Sequence, residues 1–245
     1  MEVHHHAHPS TSSGPRKKWT HYLWEFLMLF LAVFCGFMAE NQREHMMEHQ
    51  REKEYIKSLV EDLKQDTAQL KKIISSLDEK LLFKDSLLEE LGNPMVFKKS
   101  SRAYYFFVMS WHYPDFVYTD RTIQQLKNSG SMRLLRNKSV SDGIVDYDSK
   151  VKTIFIAQGQ MNGSTFTYGF EKSKLFLVRL IDTSENGFQD PGIPLLTQRQ
   201  NDIEEFYNNM KDHKRTFVYL KGLDVDLLWR GTRLIEFIKK EYHLN

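Results

Sequence analysis

Apolar residues recur along most of this chain with the period of an α-helix. From Glu44 to Leu91 there is no proline or glycine, and apolar residues return at alternating steps of four and three. This repeat predicts a long helix packed along another helix, and Gly92 and Pro94 predict its end. The predicted seam is Ile56, Val60, Leu63, Thr67, Leu70, Ile74, Leu77, Leu81, Lys84, Leu88 and Leu91. Because further helices follow, pairing within one chain is favoured, and pairing between chains stays open.

The remainder of the chain is also expected to be helical. Predicted helices cover Lys98–Trp111, Arg121–Asn128 after a cap at Asp120, a longer segment opened by Ser139 or Ser141, and Thr197–Tyr242. Residues 182–196, rich in glycine and proline, are the longest predicted loop. No segment alternates apolar and polar residues as a half-buried strand does. The prediction is therefore an all-α fold: a single N-terminal transmembrane helix that continues into an antiparallel bundle of long helices.

The membrane helix is predicted from the run Tyr22 to Ala39, which carries one acidic residue, Glu25. At about 1.5 Å per residue this run spans roughly 27 Å, close to the hydrocarbon thickness of a bilayer. Aromatic residues and the basic block 16–18 sit at its N-terminal end, where a membrane interface favours them. The alternatives are a cleaved signal peptide or a lipoprotein signal at Cys35. The first would need small residues where the chain reads Phe37-Met38-Ala39-Glu40, and the second would need a small residue where Phe34 stands. An uncleaved anchor is predicted.

The distribution of charge predicts on which side of the membrane each segment lies. Three basic residues precede the anchor in one block, whereas those after it are interleaved with glutamate, so the N-terminus is predicted to be cytoplasmic. The chain then divides into a flexible tail (1–18), a transmembrane anchor (19–40) and an extracytoplasmic helical domain (41–245), which is periplasmic in a Gram-negative cell. A net charge of +2 without a basic face predicts no nucleic-acid partner.

Three segments carry a family resemblance. They are RKKWTHYLWEFLMLFLAVFCGFMAENQREH, REKEYIKSLVEDLKQDTAQL and TDRTIQQLKNSGSMRLL. They resemble a family of uncharacterised single-pass membrane proteins of Bacteroidota, defined by a domain of unknown function. The resemblance covers most of the chain from residue 16. It implies a helical protein of the inner membrane of a Gram-negative cell, and it assigns no catalytic residue.

A zinc-peptidase pattern occurs just after the anchor. His45, Glu48 and His49 match H-x-x-E-H, in which two histidines one helical turn apart bind zinc and a glutamate activates water. Such a site also needs a third ligand and a walled cleft. Here the pattern lies in a run already rich in Glu and His, so a solvated helix face is favoured, and neither a metal nor a cofactor is expected. A zinc hydrolase is kept as the less favoured function.

Two other features are candidate sites. Glu25 lies within the predicted span and is interpreted either as a polar contact with another membrane subunit or as a side chain paired with His21 near the interface. Trp111, His112, Tyr113 and Asp115 lie around a proline turn and either wall a pocket for a small molecule or peptide or pack the end of the bundle. Packing is favoured.

The predicted function is a non-enzymatic envelope protein whose bundle binds a partner protein or self-associates at the lipid bilayer. A ligand-sensing bundle that signals through a separate membrane protein is the alternative of a different class. No catalytic arrangement, phosphate-binding loop or cysteine pair is identifiable from residue spacing.

Overall fold

Five α-helices account for most of the protein. The computed structural model describes residues 19–180 and 192–244. The helices are α1 (Trp19–Gly92), α2 (Ser101–Trp111), α3 (Arg121–Asn128), α4 (Lys138–Leu175) and α5 (Gln200–Glu241), with short 3₁₀ segments at Pro94–Phe97, Ser131–Leu134 and Val178–Leu180. No strand occurs in the described ranges, and the prediction of an all-α fold is confirmed.

The chain divides into two compact units, Met1–Arg51 and Glu52–Asn245. In the first unit, residues 19–47 form the start of α1 and every one of them is exposed. This part of α1 is long and apolar enough to cross a membrane, and no other described helix is. Exposure of so many phenylalanine, leucine and tryptophan side chains is unfavourable in water and suits contact with lipid.

The second unit is a bundle with four legs, of which α1, α4 and α5 are three. The other leg leads back from the end of α1 through α2, the non-helical residues 112–120 and α3. The backbone N–H of Thr119 donates to Asp66 Oδ1 (2.8 Å), and that of Arg136 donates to Glu52 Oε1 (2.8 Å). Because the residue numbers rise on this leg as they fall on α1, the two run antiparallel.

Ion pairs define the direction of α5 in the same way. Lys214 pairs with Asp85 and Lys221 pairs with Asp78, so α5 runs antiparallel to α1. The Arg230 Nη1–Asp146 Oδ2 distance is 2.7 Å, which joins α5 to the first half of α4. Of the long helices, α4 and α5 approach most closely. The path along the bundle is therefore up, down, up and down, an arrangement that needs only short connections.

The buried face of α5 keeps a strict alternation of three and four residues. It consists of Ile203, Phe206, Met210, His213, Phe217, Leu220, Asp224, Leu227, Gly231, Leu234 and Ile238. This spacing is that of a helix packed along its neighbours at a shallow angle. Two apolar clusters result. One joins α1, α4 and α5 around Leu70 and Phe217, and the other joins the end of α1 to α2 around Leu87 and Phe107.

The set of buried residues on α1 differs from the predicted seam. In α1, Leu59, Ile73 and Leu87 are buried, whereas Ile74, Leu81 and Leu88 are only partly so. Because α1 faces both the returning leg and α5, its buried stripe is broader than a seam between two helices.

The start of α4 was also predicted wrongly. This helix begins at Lys138 under a cap from Asn137, whose Oδ1 accepts a hydrogen bond from the N–H of Val140, rather than at Ser139 or Ser141. Residues 182–191 of the predicted loop lie outside the described ranges, and 192–196 are non-helical as predicted. The last helix begins at Gln200 rather than at Thr197.

Candidate functional sites

Glu25 lies on the exposed apolar part of α1. Its Oε1 is 3.0 Å from His21 Nε2, and both side chains are about half exposed. The structure thus contains the one-turn His–Glu contact that the sequence suggested. A pair of this kind reduces the cost of placing a carboxyl group near a membrane interface.

The H-x-x-E-H residues remain on one exposed stretch of α1. His45 Nδ1 is 3.8 Å from Glu48 Oε2, a distance compatible with a weak ion pair when the ring is protonated. Among the described residues no three His, Cys, Asp or Glu side chains come together in a way that could hold a metal ion. The third protein ligand that a zinc peptidase requires is therefore not found within 19–180 and 192–244.

The four aromatic-turn residues separate into two environments. Trp111 and His112 line an open cavity of about 470 Å³ with Thr165, Phe166, Gly169, Phe170 and Lys172. Tyr113 is buried elsewhere, and its hydroxyl donates to Asp224 Oδ2 at 2.6 Å. Asp115 lies 3.5 Å from the side-chain amide of Asn162. The structure brings Trp111 and His112 to one pocket, while Tyr113 serves packing between the returning leg and α5.

A buried polar chain adjoins this cavity and was not recognised from the sequence. Lys84 Nζ lies 2.9 Å from His213 Nδ1, and His213 Nε2 lies 3.1 Å from Thr165 Oγ1. Burial lowers the pKa of Lys84 to about 7, and burial together with Lys84 lowers the pKa of His213 to about 3. The signal in the sequence was a lysine inside an otherwise apolar seam. Its partners come from α4 and α5, which no local spacing relates to α1.

A second buried polar cluster surrounds Asp224. Among the described residues, neither Asp224 Oδ1 nor Gln158 Nε2 has a hydrogen-bond partner. Burial raises the pKa of Asp224 to about 6, against the opposing effect of the Tyr113 hydrogen bond. When Asp224 is protonated, one of its carboxyl oxygens carries a hydrogen and can donate a hydrogen bond.

The remaining buried acids hold the returning leg in place. Asp62 accepts from Arg121 Nη2 (2.6 Å) and from the Thr122 N–H (2.9 Å). Asp66 also accepts from the Tyr147 hydroxyl (3.1 Å), and burial raises the pKa of Asp66. These contacts are structural: each satisfies a backbone or side-chain donor that the interior would otherwise leave unpaired.

These observations define an all-α protein with one helix long and apolar enough to cross a membrane and a helical unit joined by buried polar contacts. No protein-family model, curated protein or solved structure matches this chain. The resemblance to the Bacteroidota family stays a prediction.

Proposed function

We propose that this is a non-enzymatic protein of the inner membrane of a Gram-negative cell, whose helical unit binds a partner helix. The exposed apolar start of α1 supports an anchor in the lipid bilayer. The basic block at 16–18 supports a cytoplasmic N-terminus and a periplasmic helical unit. The resemblance to membrane proteins of Bacteroidota supports the same placement.

The observation that carries partner binding is an apolar stripe on the outer face of α5. Val218, Val225 and Trp229 are 52%, 45% and 55% exposed, whereas Leu220 and Leu227 on the opposite face of α5 are buried. Their spacing of seven and four residues places them in one row, and Gly222 completes the row without covering it. An exposed row of this kind matches the contact surface of one helix against another.

The ends of the stripe are basic and aromatic. At the C-terminal end, the guanidinium carbon of Arg233 lies 5.4 Å from the ring centroid of Trp229. At the N-terminal end, Arg215 lies one turn before Val218 and pairs with Asp212. Tryptophan and arginine are the residue types that contribute most to binding at protein interfaces. The partner that fits is an amphipathic helix, supplied by another envelope protein or by a second copy of the chain.

The test is photo-crosslinking in the native membrane. A benzophenone amino acid at Val225 is expected to form one adduct of defined mass, because this side chain lies in the middle of the stripe. Trp229→Glu in the same chain should abolish the adduct by placing a charge in the apolar row. The adduct mass distinguishes a second copy from another protein.

The matched control carries the same probe at Lys72, an exposed position of α1 that does not belong to the stripe. Equal labelling at Val225 and Lys72, or an adduct that survives Trp229→Glu, would contradict binding through this surface.

A further inference from the structure

The cavity beside Trp111 is formed by the end of α2 and the last turns of α4. Its described lining is Trp111 and His112 from one side and Thr165, Phe166, Gly169, Phe170 and Lys172 from the other. A volume of about 470 Å³ falls within the range of pockets that hold small molecules. No acidic residue is part of this described lining.

The aromatic wall is held rigidly. The Trp111 ring centroid lies 4.5 Å from that of Phe107 and 4.8 Å from that of His213. Gly169 lets the indole lie directly against α4, because a Cβ at this position would be only 3.1 Å from Trp111 Cζ2. Phe166 stands on the same helix and is mostly exposed. The cavity therefore offers the flat indole of Trp111, held by its neighbours, and the exposed ring of Phe166 beside it.

The polar end of the cavity has a defined direction. When Lys84 carries its proton it has no lone pair, so Nζ donates to His213 Nδ1. The neutral ring then carries its own hydrogen on Nε2 and donates it to Thr165 Oγ1. The Thr165 hydroxyl makes no other hydrogen bond among the described residues, and it lines the cavity. When Lys84 is protonated, the Thr165 hydrogen is therefore available to an acceptor on a ligand.

The rim adds a positive charge. Lys172 lines the cavity and forms no ion pair among the described residues, whereas the neighbouring Glu171 is bonded to Asn209 at 2.7 Å. An ammonium group beside aromatic walls and a hydroxyl donor complements a molecule with an anionic head and an apolar body.

From this geometry we infer that the cavity binds a small amphipathic carboxylate. The apolar body lies against Trp111 and Phe166, and the carboxylate accepts from the Thr165 hydroxyl and faces the Lys172 ammonium group. This site is separate from the α5 stripe, and binding here does not require the partner helix.

The experiment is calorimetric titration of the full chain in lipid nanodiscs with 2-naphthylacetate, after subtraction of empty nanodiscs. Saturable binding of one molecule per chain is expected. Thr165→Val and Lys172→Gln should each weaken it about tenfold, the loss expected when a hydrogen bond to a charged group is removed. The neutral analogue 2-naphthylethanol should bind more weakly and should not respond to Lys172→Gln.

Lys150→Gln is the matched control, because this lysine lies on α4 outside the cavity lining. Thr165→Val also removes the acceptor of His213, so its thermal unfolding is compared with that of the wild type. Lys172→Gln removes no contact among the described residues and is decisive even if Thr165→Val fails to fold. The inference is overturned by the absence of saturable binding, or by wild-type affinity in Lys172→Gln.

Discussion

Lys84 is the residue at which the bundle departs furthest from an apolar core. Its side chain is buried, its Nζ lies 4.1 Å from the centroid of the Phe217 ring, and its polar partner is His213 rather than a carboxylate. Lys80 on the same helix adds repulsion, and burial is the larger cause of the lowered pKa. Taking an ammonium group out of water without a counter-ion is costly, so Lys84 binds its proton less tightly in the folded chain than in the unfolded chain.

This environment predicts a pH-dependent stability. Because the folded pKa of Lys84 is about 7, below the ordinary 10.5, the unfolded chain binds more protons between those values. The contribution of Lys84 to the free energy of unfolding therefore rises with pH through this window and is lowest below pH 7. The difference in unfolding free energy between wild type and Lys84→Met should change by about 1.4 kcal/mol per pH unit in favour of the wild type.

The measurement is denaturant unfolding of both proteins at pH 7.5, 8.5 and 9.5, a range in which His213 stays neutral. Lys72→Met, on the exposed side of α1, is the control for replacing a lysine by methionine on that helix. A difference between wild type and Lys84→Met that stays constant with pH would show that Lys84 remains charged in the fold.

At the scale of elements, the bundle depends on close approach at a few glycines. A Cβ at Gly231 would lie 2.9 Å from Thr67 Cγ2 and 3.1 Å from Tyr147 Cε2, so α1, α4 and α5 meet there. On the same helix, Gly222 has open space around it. Both glycines reduce helix propensity equally, and only the first is required by packing.

Gly231 and Gly222 give a prediction in which one substitution is the control for the other. Gly231→Ala should lower the free energy of unfolding by about 1–3 kcal/mol, because the methyl group overpacks a filled interior. Gly222→Ala should raise it by about 0.5–1 kcal/mol, because alanine costs less backbone entropy in a helix. Thermal unfolding followed by circular dichroism measures both. Stabilisation by Gly231→Ala would mean that the three helices are less closely packed than the structure has them.

The elements also account for the α1 seam. Leu70 and Leu77 are fully buried within one chain, so this face is used in packing against the chain's own helices. On α5, by contrast, Val218, Val225 and Trp229 stay exposed. If chains associate through the surface proposed above, the contact is expected at α5 rather than at the α1 seam.

For the whole molecule, the question is on which side of the membrane the helical unit lies. The basic block before α1 predicts a periplasmic unit. Fusion of alkaline phosphatase after Asn245 should give an active enzyme, and fusion of a fluorescent protein that matures only in the cytoplasm should give no fluorescence. Phosphatase is active only where its disulfides form, and this makes the two reporters complementary.

Removing the three positive charges tests whether they determine the orientation. Replacement of Arg16, Lys17 and Lys18 by glutamine should reduce phosphatase activity if the positive-inside rule determines orientation. Fluorescence without phosphatase activity in the unaltered chain would place residues 41–245 in the cytoplasm and move the search for partners there.

Much of the helical architecture could be read from local sequence. Arg121–Asn128 was predicted to the residue, although the Asp120 side chain makes no capping hydrogen bond and instead accepts from Gln124 Nε2. The glycine stop was read correctly, because Gly130 adopts the left-handed conformation just after the helix. The start of α4 was missed because asparagine and serine are both good caps, and which one is used depends on the preceding chain. Of the four residues considered for a pocket, Trp111 and His112 line the cavity. The next residue, Tyr113, is not part of this lining, and its hydroxyl donates a hydrogen bond to Asp224.

What the sequence determined by itself is the period of its apolar residues, the apolar run at 22–39 and the breaks at glycine and proline. These are local properties, and they predict helices, an anchor and the points where the chain reverses. Only the tertiary structure decided which polar residues share the interior. Lys84, Thr165 and His213 meet because three helices distant in sequence present them at one level of the bundle. Their chemistry comes from mutual distance and burial, and neither quantity is encoded in the spacing of residues along one helix.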